Sequence, residues 1–148
     1  MPTHQFLKDR RRGHPGQDYV TKRLTDIGYL VRLVKDGFFQ DYDFVAEHTK
    51  KPIRFTGEVK TCYWFDKTNN FALELDALRH SKAPMFFYVV MKDDKPLEAY
   101  YCPLQSALKV AEEHYRLFPD KIAIGERGEI SPLVPEDYLR SRTQVQVM

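Results

Sequence analysis

Residues 41–61 read DYDFVAEHTKKPIRFTGEVKT, and they carry the strongest indication of the fold. Its two ends, 41–47 and 53–61, are rich in β-branched and aromatic residues, whereas the segment between them is polar and ends at Pro52. Two β-forming runs separated by a polar segment with a proline predict two antiparallel strands joined by a turn. We call residues 41–61 the central hairpin.

Charged side chains lie on one face of the central hairpin. Because side chains alternate along a strand, Glu58 and Lys60 share a face and lie about 7 Å apart. If Asp43 lies opposite Glu58 on the neighbouring strand, the same register sets Glu47 opposite Arg54, a favourable pair of opposite charges. This register predicts that an Asp, a Glu and a Lys meet on one face.

The turn of the central hairpin leaves the register less well determined. Lys50 and Lys51 stand at its tip, and lysines are poor residues for the two-residue turns that often close hairpins. A longer loop and a register shift of one or two residues are therefore alternatives. Asp41 shares the face of Asp43 and falls opposite Lys60, so it is a candidate accessory residue.

The carboxylates of Asp43 and Glu58 form a candidate metal site. An Asp and a Glu held side by side in a partly buried place repel one another, and a divalent cation stabilises such a pair. Oxygen ligands suit Mg²⁺, with Mn²⁺ as a substitute, and Mg²⁺ usually takes one or two carboxylates and several waters. Such an ion acidifies a water and offsets charge on a phosphate, while Lys60 orients or deprotonates that water or stabilises the transition state. The pattern predicts hydrolysis of a phosphodiester.

The order of these residues resembles the PD-(D/E)xK pattern of phosphodiesterases, in which an Asp on one strand and an E-x-K on the next form the metal site. Here the pattern is Asp43, a spacer, and then Glu58-Val59-Lys60. The residues GEVKT at 57–61, followed by NNFALE at 69–74, are similar to those of small phage and microbial members. Tyr42 departs from the pattern, because a proline usually precedes the Asp.

The resemblance implies a restriction-endonuclease-like fold and a metal-dependent nuclease, over roughly residues 16–117. It implies that Asp43, Glu58 and Lys60 are the catalytic residues. Asp43 and Glu58 are then Mg²⁺ ligands, with the Val59 carbonyl as a third, and Lys60 lies beside the attacking water.

Members of the family also carry a helix before the first strand, sometimes with an acid that reaches the metal. Gln17 and Asp18 are the candidates for that accessory role here. Glu74 is a further candidate, from the segment that follows the hairpin. For Asp18 and Glu74, an ordinary carboxylate at a helix start or on the surface is the alternative.

Composition is that of a soluble globular chain. At 148 residues, with 43% hydrophobic and 30% charged residues, it is long enough for one domain with a sizeable core. The net charge of +2 does not identify a partner. No apolar run approaches the ~18 residues that cross a bilayer, and the N-terminus lacks the apolar core of a signal peptide. We therefore expect no membrane association and a cytoplasmic location. If a phage encodes the protein, this location is the cytoplasm of the host cell. Cys62 and Cys102 form no disulfide or metal motif, so thiols are expected.

Basic residues are concentrated in residues 1–15, which we predict to form a flexible arm ahead of a single nuclease-like domain at 16–148. Such an arm suits a phosphate backbone, since each contact releases counterions, and a solvated tail is the alternative. On charge alone, the candidate DNA contacts are Lys8, Arg10, Arg11, Arg12, Lys50, Lys51 and Lys67.

The rest of the chain predicts both helices and strands. Val20, Leu24 and Ile27 keep helical spacing in a helix that begins at Gln17 and stops at Gly28. A strand is predicted at 29–35, followed by a turn at Asp36-Gly37, and the segment from Phe71 is predicted to start extended and then form a short helical turn. Later in the chain, strands are predicted at 84–91, 97–102 and 122–124, and a helix at 104–118. In 128–148 we predict no regular structure beyond a helical turn at 135–140.

These elements predict an α+β fold, with α/β/α-like layers, in which helices flank a central mixed sheet that contains an antiparallel hairpin. The predicted function is a Mg²⁺-dependent endonuclease of DNA that acts as a homo-oligomer, because one site cuts one strand. Homing or restriction, junction-resolving and phage repair roles all stay open. The first alternative is a catalytically inactive nucleic-acid-binding or assembly module on the same fold. A plain interaction domain with solvated hairpin charges is the second.

Overall fold

The computed structural model describes residues 4–34, 42–63 and 65–148, and of residues 4–14, 66 and 67 it describes the backbone alone. In chain order, the elements are α1 (His4–Asp26), β1 (Tyr29–Leu33), β2 (Phe44–His48), β3 (Arg54–Cys62), α2 (Phe65–Thr68), β4 (Asn70–Ala72), α3 (Leu75–His80), β5 (Met85–Lys92), β6 (Lys95–Pro103), α4 (Leu104–Leu117), β7 (Ile122–Ile124), β8 (Ile130–Pro135), α5 (Glu136–Arg142) and β9 (Gln146–Val147). Within the described residues, the main sheet has six strands in the order β1-β2-β3-β5-β6-β9.

The central hairpin forms in the predicted register. β2 and β3 are antiparallel, with Phe44 opposite Gly57 and Glu47 opposite Arg54. Arg54 Nε lies 3.1 Å from Glu47 Oε1, so the predicted cross-strand ion pair is confirmed. Residues 49–53 form the loop, which is longer than a two-residue turn but does not shift the register. β1 pairs antiparallel with the other edge of β2, which confirms the predicted succession of antiparallel strands.

The sheet is mixed, as predicted, because β3 pairs parallel with β5. In this pairing Glu58 lies beside Phe86 and Lys60 beside Tyr88. Parallel neighbours need a crossover connection, which α2, β4 and α3 provide here. β5 then returns into β6 through a tight turn at Asp93 and Asp94, whose φ values of 52° and 60° are those of a primed hairpin turn.

Helices cover both faces of the main sheet, so the predicted layered α+β class is confirmed. On one face, α1 buries Val20 and Leu24 against the sheet. On the other face, α3 and α4 bury Leu78 and Ala111 in a cluster that also contains side chains of β3, β5 and β6. Alternation along β3 directs Glu58 to this second face, in line with the buried Cys62.

Helix α1 is longer than predicted. It begins at His4 and includes Pro15. It ends as predicted, since Gly28 has a φ of 103°, a left-handed conformation that favours glycine just beyond a helix. The prediction that Ile27 belongs to the buried stripe is wrong, because Ile27 lies in the turn after the helix and is 61% exposed. The flexible arm at 1–15 and the domain boundary after it stay predictions.

The C-terminal part contains more regular structure than predicted. β8 pairs with β4 on one edge and β7 on the other, a sheet of three strands among the described residues. Pro132 and Pro135 lie in β8, and a proline cannot donate to a strand ladder, which is why no pattern indicated this strand. α5 extends the predicted helical turn, and β9 adds an edge strand to the main sheet. The other predicted strands and helices after residue 70 are confirmed.

A few predictions fall outside the described residues. They concern the end of the first strand at Lys35, the turn at Asp36-Gly37, the beginning of the hairpin and the accessory residue Asp41. None of the helices in the described ranges is long and apolar enough to cross a membrane.

Candidate active site

Asp43 lies where β2 begins, and its backbone is fixed by the strands on both sides. The Val34 N–H donates to the Asp43 carbonyl at 2.9 Å, and the Asp43 N–H donates to the Gly57 carbonyl at 2.8 Å. The Asp43 side chain turns towards β3, where its Oδ2 accepts the Val59 N–H at 2.7 Å. The carboxylate is therefore held beside the part of β3 that extends beyond its pairing with β2.

Glu58 supplies the second carboxylate of the site. Ser81 Oγ lies 3.2 Å from Glu58 Oε2, within hydrogen-bond distance. Burial and then the negative charge of Asp43 raise the pKa of Glu58 to about 7, although Lys60 and the Ser81 hydrogen bond act in the opposite direction. Two acids close enough to disturb one another in this way are an arrangement that a cation would stabilise.

Lys60 lies two residues further along β3, and Glu74 approaches it. Lys60 Nζ is 4.0 Å from Glu74 Oε2, and both side chains are about one third exposed, at 38% and 34%. The negative charge of Glu74 also contributes to the raised pKa of Glu58, after larger effects from burial and Asp43. The structure thus brings together Asp43, Glu58, Lys60 and the accessory candidate Glu74.

Glu74 reaches the site because the segment before it is tied to the main sheet. Tyr88, the neighbour of Lys60 on β5, lies buried beneath β4. The Ala72 N–H donates to the Tyr88 hydroxyl oxygen at 2.9 Å, and the hydroxyl is 3.5 Å from the Ala72 carbonyl. This contact fixes the chain two residues before Glu74.

The ligands offered by the site fit Mg²⁺ or Mn²⁺. Asp43 and Glu58 supply carboxylate oxygens, and the Val59 carbonyl lies on the same edge of β3 as its N–H, which faces Asp43. In the described ranges, no group of three or more His, Cys, Asp and Glu side chains is placed to hold a metal. Two carboxylates and one carbonyl, completed by waters, match the usual magnesium site.

The remaining predicted residues belong to other elements or have side chains outside the described part of the structure. α1, which carries Gln17 and Asp18, packs on the face of the sheet opposite Glu58. Among the described contacts, no hydrogen bond or ion pair joins either side chain to the site. Lys50 and Lys51 are exposed in the hairpin loop, where their N–H groups each donate to His48 Nδ1 at 3.0 Å. The side chains of Lys8, Arg10, Arg11, Arg12 and Lys67 lie outside the described part of the structure.

Ser81 is the residue of the site that the sequence did not indicate. It follows the short helix α3, and its Oγ accepts the N–H of Ala83 two residues on, a local bond that serine makes in many turns. Its contact with Glu58 spans 23 residues of sequence. Only the crossover between β3 and β5 brings the two together, so no local pattern carried a signal.

Comparisons with known proteins identify the fold. No protein-family model matches the sequence, and no curated protein matches it. Among solved structures, the chain is similar to the bacterial homing endonuclease I-Ssp6803I, with a TM-score of 0.51 and 18% identity over 71% of this chain and 68% of that one. The Holliday junction resolvase Hjc of the archaeal hyperthermophile Archaeoglobus fulgidus gives a TM-score of 0.48 and 13% identity over 88% of each chain.

The mixed sheet with its parallel β3-β5 pair and helices on both faces is a restriction-endonuclease-like fold. The fold that the sequence pattern implied is therefore confirmed. At this level of identity, the similarity concerns the fold, and the roles of individual residues stay predictions.

Proposed function

We propose that this protein is a Mg²⁺-dependent endonuclease that hydrolyses phosphodiester bonds in DNA. The observation that carries the proposal is the convergence of the Asp43 and Glu58 carboxylates beside Val59, on the strand that also presents Lys60. Asp43 and Glu58 would hold the metal, with the Val59 carbonyl as a third ligand. The nuclease fold supports DNA as the substrate.

Each residue has a separate task in this proposal. The chemistry that a bound Mg²⁺ supplies is the acidification of the attacking water and the neutralisation of charge on the phosphate. Asp43 stays oriented because the Val59 N–H holds its Oδ2. Lys60 presents its ammonium group to the attacking water or to the phosphate, where it orients the water and stabilises the developing negative charge.

Glu74 is proposed as a positioning residue for Lys60. Its Oε2 lies 4.0 Å from the ammonium group, so it limits where the long Lys60 side chain can reach. Because both side chains are partly exposed, we expect this ion pair to contribute little to stability and to act mainly on the orientation of Lys60.

The working form is proposed to be a homo-oligomer, since a single site of this kind cuts one strand and a duplex has two. The similar structures include a homing endonuclease and a junction resolvase, and the same chemistry serves either role. A comparison of cleavage rates on different DNA substrates therefore identifies the preferred one.

The test is a cleavage assay on supercoiled, linear, single-stranded and four-way-junction DNA, each with Mg²⁺ or with EDTA. Lys60→Ala is compared with Lys109→Ala, which removes an exposed lysine of α4. We expect cleavage only with Mg²⁺, a loss of about a hundredfold or more in Lys60→Ala, and a normal rate in Lys109→Ala. Binding of DNA by the Lys60→Ala protein should persist.

A folded wild-type protein that cuts none of these substrates in Mg²⁺ or Mn²⁺ would overturn the nuclease proposal. If that protein still binds DNA, the function is that of a catalytically inactive binding or assembly module. If it binds no DNA, a plain interaction domain is left.

A further inference from the structure

Ser81 is held in one place by its own backbone and by its neighbours. The Ser81 N–H donates to the Ala77 carbonyl at 3.1 Å, which ends α3. The Ala83 N–H donates to Ser81 Oγ at 3.2 Å. On the far side of the same connection, the Leu104 N–H donates to the Pro84 carbonyl at 2.9 Å, which fixes the connection to the start of α4.

The Ser81 hydroxyl both accepts and donates a hydrogen bond. A backbone N–H only donates, so the contact with Ala83 uses a lone pair of Ser81 Oγ. The Ser81 hydroxyl donates its proton to Glu58 Oε2 at 3.2 Å. A chain of hydrogen bonds therefore runs from the Ala83 N–H through Ser81 to the Glu58 carboxylate.

This chain of hydrogen bonds restricts the rotation of the Glu58 side chain. A glutamate has three rotatable side-chain bonds, and a metal ligand must hold one of its many orientations. Hydrogen bonds from outside the coordination sphere commonly supply this restraint, and their loss weakens metal binding. Ser81 comes from the connection between α3 and β5, so it restrains Glu58 independently of β2 and Asp43.

We propose that Ser81 is a positioning residue that fixes the Glu58 carboxylate for the divalent cation. The proposal rests on the metal site of the proposed function, but it makes a claim of its own about metal affinity. Removal of the hydroxyl should weaken the binding of the cation before any DNA is present.

The test compares wild-type protein with Ser81→Ala, Ser81→Thr and the control Ser141→Ala. Ser141→Ala also removes a hydroxyl that makes two hydrogen bonds, one donated to the Tyr138 carbonyl at 2.9 Å and one accepted from Arg142 Nη1 at 2.9 Å, but Ser141 lies on α5. Binding of Mn²⁺ without DNA is measured from the signal of the free ion in electron paramagnetic resonance. The Mg²⁺ concentration that gives half-maximal DNA cleavage is measured alongside.

We expect Ser81→Ala to raise the Mn²⁺ dissociation constant about tenfold. Ser81→Thr keeps a hydroxyl on an extended residue, so it should bind Mn²⁺ as wild type does, and so should Ser141→Ala. The Mg²⁺ requirement for cleavage should rise in Ser81→Ala, with the maximal rate largely recovered at high Mg²⁺.

Equal Mn²⁺ affinity in Ser81→Ala and wild type overturns the positioning role, even if wild type cuts DNA. Equal weakening in Ser81→Thr overturns it too, because the hydroxyl would then not be the cause. If Mn²⁺ binding weakens as expected but no variant cuts DNA, the role of Ser81 stands and the nuclease proposal fails.

Discussion

The Val59 N–H donates to Asp43 Oδ2 at 2.7 Å, and this bond joins the first carboxylate of the site to the strand that carries the second. The pairing of β2 with β3 begins only at Phe44 and Gly57, so beside Val59 a side chain takes the place of a strand partner. The residue that would hold the metal therefore also satisfies a backbone donor of β3.

This double role predicts different results for two substitutions of Asp43. Asp43→Asn keeps an acceptor for the Val59 N–H, so unfolding by urea should show stability close to wild type, while cleavage is lost with the carboxylate. Asp43→Ala removes the acceptor as well, so it should lower the free energy of unfolding by about 1–3 kcal/mol and also abolish cleavage. Equal stability of the two variants would show that the bond with Val59 contributes nothing to the fold.

The raised pKa of Glu58 predicts that stability depends on pH in the absence of metal. Burial and the charge of Asp43 raise the pKa of Glu58 from 4.5 to about 7 in the folded protein. A carboxyl with a raised pKa favours the folded state below pH 4.5, and this contribution is lost as the pH rises towards 7. Measured in EDTA, wild type should therefore lose stability relative to Glu58→Gln between pH 5 and pH 8, by on the order of 3 kcal/mol at most.

Addition of Mg²⁺ should reverse this loss at pH 8 and have a smaller effect at pH 5, where a proton competes for Glu58. Melting temperatures of wild type and Glu58→Gln at both pH values, with and without Mg²⁺, give the comparison. A difference between the two proteins that does not change with pH would contradict the proposed environment of Glu58.

Tyr88→Phe should destabilise the protein and also slow cleavage. The Tyr88 hydroxyl accepts the Ala72 N–H at 2.9 Å, and its loss leaves that donor unpaired at a cost of about 1–3 kcal/mol. Glu74 follows two residues later, so its approach to Lys60 should loosen. In the control Tyr101→Phe, an exposed hydroxyl loses its bond to Gln146 Oε1, which should cost no more than about 0.5 kcal/mol and leave cleavage unchanged.

Gly16→Ala tests the packing of α1 on the sheet. A Cβ at Gly16 would collide with Thr61 Oγ1 of β3, on the face opposite the site. Alanine usually stabilises a helix relative to glycine, but here overpacking should cost about 1–3 kcal/mol. Thr61→Ala should recover part of this loss in the double variant, as measured by urea unfolding. A stabilising effect of Gly16→Ala would show that α1 does not approach β3 this closely.

Local patterns in the sequence predicted the sheet well where they were strong. Alternation and opposite charges placed Glu47 opposite Arg54, and the structure has this register. The continuous apolar run before Lys92 predicted a strand buried on both faces, which is β5. The strand β8 was missed because its prolines hide the pattern, and Ile27 was misplaced because helical spacing continues past the end of α1.

In the candidate site too, local patterns predicted some residues and gave no signal for others. Asp43, Glu58 and Lys60 lie on neighbouring strands whose register a hairpin pattern can determine. The sequence left open whether Glu74 reaches the site, because its position depends on how β4 lies on Tyr88. Ser81 had no signal at all, because its contact with Glu58 exists only once the parallel crossover has formed.

Nicking of supercoiled plasmid DNA in Mg²⁺ measures whether Glu58 acts as a metal ligand in a DNA nuclease. Wild type is compared with Glu58→Gln, which keeps the shape of the side chain, and with Glu126→Gln, which changes an exposed glutamate of the β7-β8 connection. We expect wild type and Glu126→Gln to nick the plasmid at the same rate and Glu58→Gln to be slower by about a hundredfold or more. Equal nicking by Glu58→Gln, or no nicking by folded wild type in Mg²⁺ or Mn²⁺, would contradict this expectation.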